Sequence, residues 1–274
     1  MTKIISICNQ KGGTGKTTTT VNLSAELAAL GKKVLVIDVD PQGNATSGLG
    51  VNKSELERSV YDVLLHRATA EETIIKEALP NLDILPCNIS LTGAEIELVG
   101  AISREARLKS ALQNVQDRYD FILIDSPPSL GLLTLNSLCA SESILIPIQC
   151  EFYALEGVSQ LLNTLNLVRD GLNPKLKIEG VLLTMADFRT NLTTEVINEI
   201  RAYFKDKVYN TIIPRNIRLS EAPSHGKPIS EYDGSSIGAV RYRELAKEIV
   251  GEDINLLDSN RLEEIDAPSG DNVQ

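Results

Sequence analysis

Two lysines stand five positions apart in the stretch NQKGGTGKTTTT, residues 9–20, with three glycines between them. Glycines let backbone N–H groups converge on an anion, and a helix N-terminus adds partial positive charge. The layout of strand, glycine-rich turn, Lys16-Thr17 and helix is therefore that of a phosphate-binding loop. Lys16 is placed to meet the β and γ phosphates of a nucleotide, and Thr17 to hold Mg²⁺. The run Thr17 to Val21 is a poor helix opening, because each β-branched residue costs about 0.5 kcal/mol relative to alanine. Ligand chemistry explains it better than propensity. The strict pattern G-x-x-x-x-G-K-[ST] fails here, since Gln10 occupies the place of its first glycine and Lys11 follows. Taken alone, Lys11 reads as a solvated loop residue.

Acidic residues end two other apolar runs. VIDVDPQGNAT puts Asp38 and Asp40 at the carboxyl end of a strand, before a Pro-Gln-Gly turn, and FILIDSPPSLG ends in Asp125. In an open parallel sheet this is the edge where ligands bind. Capping the DPQG turn is the plainer role for Asp40 and is compatible with one at the ligand edge, while Asp125 taken alone could equally be a turn former.

Positioning these residues requires a particular architecture. Apolar runs rich in Ile, Val and Leu recur as KIISIC, KVLVID, LDILPC, FILID, SILIPIQ, IEGVLLTM and TIIP. Their continuous rather than alternating hydrophobicity predicts strands buried on both faces. Helices are expected between them over 16–30, closed by Gly31, and over 104–117, 155–169 and 192–204, the last with Val196, Ile200 and Phe204 at helical spacing. Alternation of strand and helix predicts an α/β fold, a doubly wound and mostly parallel sheet flanked by helices. No Pro/Gly/Ser linker or repeat divides the chain. One domain over 1–250 is expected, followed by an acidic, loosely held tail over 251–274.

Composition narrows the setting. With 274 residues and 42% hydrophobic content the chain can bury a substantial core. Neither a secretory leader pattern nor an apolar run near 20 residues is present, so a cytoplasmic location is expected. Cys8, Cys87, Cys139 and Cys150 form no C-x-x-C pair and read as buried thiols, while His66 and His225 are too few for a zinc site. The net charge of −10 is uneven: residues 251–274 hold seven acids and one arginine, whereas 201–247 hold nine bases and five acids. An acidic chain can thus still present a basic face.

The full string K-G-G-x-G-K-T-T, residues 11–18, resembles the deviant Walker A motif of the ParA/MinD superfamily of ATPases. That resemblance implies a P-loop NTPase fold binding ATP and Mg²⁺. It assigns Lys11, Gly12, Gly13, Thr14, Gly15, Lys16, Thr17 and Thr18 to the phosphate loop, with Lys16 acting within its own subunit. Lys11 would reach across a nucleotide-sandwich homodimer to the partner's phosphates. Asp40 resembles the switch I aspartate that orients the attacking water, and Asp125 the Walker B acid that holds Mg²⁺ through water. CEFYALEGVSQLLNTL, EGVLLTM, IIPRNIRLSEAPSHGKPI and YRELAKEI are similar to short chromosomal ParA proteins of the Soj type, over roughly residues 3–249. In that group Pro214, Arg215 and Asn216 would lie against the adenine, and Arg189 and Arg218 on the DNA-binding face.

The function implied is ATP-dependent DNA partitioning. An ATP-bound dimer binds double-stranded DNA non-specifically, at the nucleoid, and a ParB-type partner releases it by stimulating slow hydrolysis. Plasmid relatives with a helix-turn-helix before the ATPase differ from this chain, so site-specific reading by such a module is not expected. A MinD-like, membrane-attached division-site ATPase is the alternative, but it requires a C-terminal amphipathic helix with a basic face. The end of this chain is acidic and carries Pro268 and Gly270, so no membrane partner is expected. An iron-sulfur reductase on the same core would need paired cysteines in glycine-rich surroundings. Cys87 and Cys139 lack that setting.

Overall fold

The computed structural model describes residues 2–152 and 154–252. Its strands are β1 (Lys3–Ile7), β2 (Val34–Asp38), β3 (Ile75–Leu79), β4 (Leu82–Leu85), β5 (Phe121–Asp125), β6 (Ser143–Gln149), β7 (Lys177–Ala186) and β8 (Val208–Pro214). They form one sheet in the order β3-β4-β2-β5-β1-β6-β7-β8. Every pairing is parallel except β3 with β4. The seven apolar runs all become strands, as expected. β3 was not among them: its IKEAL carries no apolar run, and Lys76 and Glu77 face solvent at the sheet edge.

Continuous hydrophobicity has its predicted cause. Alternate residues of one strand enter different cores: Ile5 and Ile7 of β1 and Val34 and Val36 of β2 on one face, Ile4, Leu35 and Ile37 on the other. Each of these side chains is buried, so both faces favour apolar residues, and the buried polar exception in β1, Ser6, is paired with Ser141 at 2.8 Å. The first face is covered by α1 (Lys16–Ala29), through Leu23 and Leu27, together with a C-terminal helix over Ile237–Val250, through Tyr242 and Leu245. Covering the second are α2 (Leu132–Ala140), α3 (Ala154–Gly171) and α4 (Asn191–Phe204). Val196, Ile200 and Phe204 of α4 are all buried, on a helix that packs against β7 and β8, as their spacing predicts. Ile237–Val250 is hereafter α5.

The single helix expected over 104–117 is corrected by the structure. It is broken into a 3₁₀ turn at Arg104–Ala106, a helix at Arg107–Leu112 and a second 3₁₀ turn at Gln116–Arg118. The buried side chain of Asn136 on α2 intervenes. Its Nδ2 donates to Arg104 O at 2.8 Å, and its Oδ1 accepts from Leu108 N at 3.1 Å. Those two backbone groups would bond each other in a continuous helix.

β1 lies at the centre of the sheet, between β5 and β6. The chain leaves it through the glycine-rich turn into α1, and then crosses past β5 to β2. The turn therefore sits at the topological switch point, on the carboxyl edge of the strands. Residues 253–274 of the expected acidic tail lie outside the described residues.

Candidate nucleotide site

The loop over residues 9–16 owes its shape to two glycines and a set of side-chain ties. Gly13 has φ +74° and Gly15, the residue capping α1, has φ +87°, the left-handed region that costs an L-residue roughly 1–2 kcal/mol. Asn9 Nδ2 donates to Pro147 O on β6 (2.7 Å), and its Oδ1 accepts from Lys11 N (3.1 Å). From β7, Thr184 Oγ1 donates to Thr14 O at 2.9 Å. Neighbouring strands thus set the loop before any ligand arrives.

The two lysines have separate surroundings. Lys16 is buried, and its Nζ donates to Lys11 O at 3.1 Å inside the loop. Burial lowers its pKa, opposed by the charges of Asp125 and Asp40. Lys11 is half-exposed, and its Nζ turns away from the loop to Glu151 Oε2 at 3.0 Å, just beyond β6. Gln149 Nε2 donates to Glu151 Oε1 from the other side.

The threonine run at the head of α1 is engaged in tertiary hydrogen bonds. Thr17 Oγ1 donates to Asp125 Oδ2 (2.7 Å), and Thr20 Oγ1 donates to Asp125 Oδ1 (3.1 Å). Thr19 Oγ1 meets the buried Tyr242 hydroxyl of α5 at 3.2 Å. Asp125 is fully buried at the end of β5; burial, followed by repulsion from Asp38, raises its pKa. Asp38 at the end of β2 is also raised by burial, against the hydrogen bonds it accepts from Thr46. Asp40 closes the following turn: its Oδ1 accepts from Gln42 N (3.0 Å) and its carbonyl from Gly43 N (2.8 Å). The capping role is therefore present, at a position within electrostatic reach of Lys16.

This donor set asks for a particular ligand. Buried carboxylates that repel one another call for a cation, and loop N–H groups with a buried lysine call for an anion. Gln10 Nε2 is a further buried donor with no partner. A metal-bound phosphate satisfies both halves. Among the described residues no cluster of three His, Cys, Asp or Glu could cage a metal unaided. That suits Mg²⁺, which takes one or two protein ligands and completes its shell with phosphate and water.

The remaining sequence-predicted residues lie on the same carboxyl edge, beyond β7 and β8. Arg215 N donates to Ala186 O at 3.0 Å, so the Pro214-Arg215-Asn216 turn is pinned to β7, and Asn216 caps the next helix by accepting from Leu219 N. Arg189 is largely exposed and pairs with Asp187, while Arg218 pairs with Glu221 and Asp233. Glu151, Thr20 and Thr46 were not singled out from the sequence. The TTTT run contained a signal for Thr20, whereas Glu151 meets Lys11 only through the fold. All four cysteines are buried free thiols, with Cys8 and Cys139 pushed up to about 11 by burial, so none is a reactive thiolate.

Fold and site together define a P-loop nucleoside triphosphatase of the deviant, two-lysine class. An AAA domain family model matches residues 2–178. The chain is 63% identical over 249 residues to the sporulation initiation inhibitor protein Soj of Bacillus subtilis, covering 91% of this chain and 98% of that one. It is 52% identical over 251 residues to the chromosome partitioning protein ParA of Myxococcus xanthus, covering 92% and 89%. Among solved structures, cobyrinic acid a,c-diamide synthase of Mycobacterium smegmatis with bound ADP and magnesium superposes with a TM-score of 0.80 at 36% identity, covering 95% of this chain and 97% of that one. The chain belongs to the ParA/Soj family of chromosome-partitioning ATPases.

Proposed function

We propose that this ATPase is a DNA-partitioning switch that uses ATP with Mg²⁺, closes as a homodimer around two nucleotides, and binds double-stranded DNA only when closed. Lys16, Thr17 and the loop backbone over Gly12 to Thr18 hold the phosphates in their own subunit, and Pro214, Arg215 and Asn216 line the adenine. Thr17 and, through water, Asp125 would hold Mg²⁺, which would supply positive charge against that of the phosphates. Asp40 orients the attacking water. Lys11 leaves Glu151 and reaches the partner's phosphates.

The separate surroundings of the two lysines carry this reading. Lys16 donates into its own loop at 3.1 Å, but Lys11 is held 3.0 Å from Glu151 at the rim. An exposed pair of this kind contributes only about 0–1 kcal/mol, so closure can exchange it for a partner phosphate. Arg189 and Arg218 supply the DNA contact, aided by the excess of bases over 201–247. A ParB-type partner stimulates hydrolysis and releases the DNA at the nucleoid. Among the described residues no helix is long and apolar enough to cross a membrane.

Co-sedimentation tests the proposal, with arms of ADP plus DNA, ATP plus DNA, and ATP plus anionic vesicles. The expected result is sedimentation with DNA in ATP alone. Sedimentation with vesicles but not DNA would establish the MinD-like alternative.

A further inference from the structure

The turn that carries Asp40 is clamped from behind by a buried network centred on one hydroxyl. Asp38 Oδ1 accepts from Asp40 N at 3.2 Å, and Asp38 Oδ2 accepts from both Thr46 N (2.8 Å) and Thr46 Oγ1 (2.7 Å). With its proton given to Asp38, Thr46 Oγ1 accepts from Cys87 N at 2.9 Å, just past the end of β4. Cys87 Sγ returns to the start of the circuit, donating to Asp40 O at 3.1 Å. The Thr46 carbonyl also accepts from Val51 N at 3.1 Å. Asp38, Thr46 and Cys87 are each fully buried.

We propose that Thr46 is a positioning residue for ATP hydrolysis: its hydroxyl, bridging Asp38 and Cys87, fixes the Asp38-to-Asp40 turn onto the end of β4 and so sets where the Asp40 carboxylate stands. The inference rests on Asp40 as the water-orienting residue. Two links run through this hydroxyl, and they are the ones that join Asp38 to the end of β4. Without it, Asp38 loses a donor and Cys87 N becomes a buried orphan, and the turn must shift to find new partners. No atom of Thr46 is required by the phosphate loop, whose own ties run to β6 and β7 through Asn9 and Thr184. ATP binding and hydrolysis should therefore separate.

The test compares Thr46→Val, Thr46→Ser and Asp40→Ala in the full chain, measuring ATP affinity and single-turnover hydrolysis. Because a misplacement of about 1 Å can cost on the order of 10²-fold in rate, Thr46→Val should hydrolyse at least about 10-fold more slowly. Its ATP affinity should stay within about threefold, since uniform binding is untouched. Thr46→Ser keeps the hydroxyl and should recover most of the rate. If Thr46→Val does not fold, Asp38→Asn replaces it, because an amide has one acceptor oxygen where Asp38 offers two, so either the Asp40 N link or the Thr46 links are lost whichever way it turns; slow hydrolysis with retained affinity is again expected. A wild-type rate in the folded variant beside a slow Asp40→Ala overturns the positioning role alone. Loss of affinity in step with rate overturns it too. A wild-type rate in Asp40→Ala removes its premise.

Discussion

Lys16 is held between burial, which disfavours its charge, and the carboxylates of Asp125 and Asp40, which favour it. A nucleotide phosphate would strengthen the second influence. Truncating one partner of a buried charge pair costs about 2–5 kcal/mol, so Lys16→Ala should weaken ATP binding by at least about 30-fold. Asp40→Ala should behave differently. Removing a group that handles an attacking water costs about 10² to 10⁴ in rate, so under the role proposed for Asp40 this variant should bind ATP normally by equilibrium titration yet turn over very slowly. At this scale the grouping of the candidate site was legible: K-G-G-x-G-K-T-T and the strand-ending acids stand out by type and spacing, and Thr17 and Asp125 meet at 2.7 Å. Thr46 and Glu151 were not legible. Their partners are distant in sequence or made by a turn, Thr46 with Cys87 across 41 positions and Glu151 with Lys11 across 140.

Elements were read well where burial on both faces wrote a continuous apolar run, as in β1, β2 and β5. They were misread where a tertiary contact overrode local pattern. Residues 104–117 have helical periodicity, but the Asn136 amide takes the Arg104 carbonyl and the Leu108 N–H that a continuous helix would join. No local signal reports a side chain arriving from α2. Asn136→Ala should leave that carbonyl and N–H buried without their partner, at about 1–3 kcal/mol, read as a lower urea midpoint with an unchanged slope. ATP affinity should be unaffected, because neither group touches the phosphate loop. Stability equal to the parent would mean that the two groups close into a continuous helix when the amide is gone. β3 escaped notice for the opposite reason. An exposed antiparallel edge strand needs little apolar sequence, and IKEAL supplies little.

Across the whole molecule the parallel sheet gathers the exits of β1, β2, β5, β7 and β8 onto one edge, where phosphate loop, acids and both arginines stand. Arg189 pairs with Asp187 of its own loop and Arg218 with Glu221 and Asp233, yet exposed pairs hold about 0–1 kcal/mol and yield readily to a polyanion. Arg189→Glu and Arg218→Glu should each weaken ATP-dependent DNA binding while dimerisation persists. The slope of log affinity against log salt should become shallower by about 0.9 for each phosphate that is no longer neutralised. Affinity and slope unchanged in both would place the DNA face elsewhere.

Lys11 joins these scales, since a loop residue at the rim of one subunit is assigned to the chemistry of another. Sedimentation velocity with Mg-ATP, comparing Asp40→Ala with the double variant Lys11→Ala, Asp40→Ala, isolates that assignment from hydrolysis. Slow turnover in Asp40→Ala should trap the dimer. The double variant should bind ATP within a few-fold of Asp40→Ala but sediment as a monomer, because the partner's phosphates lose the charge supplied in trans. An ATP-dependent dimer of equal stability in the double variant would contradict the account.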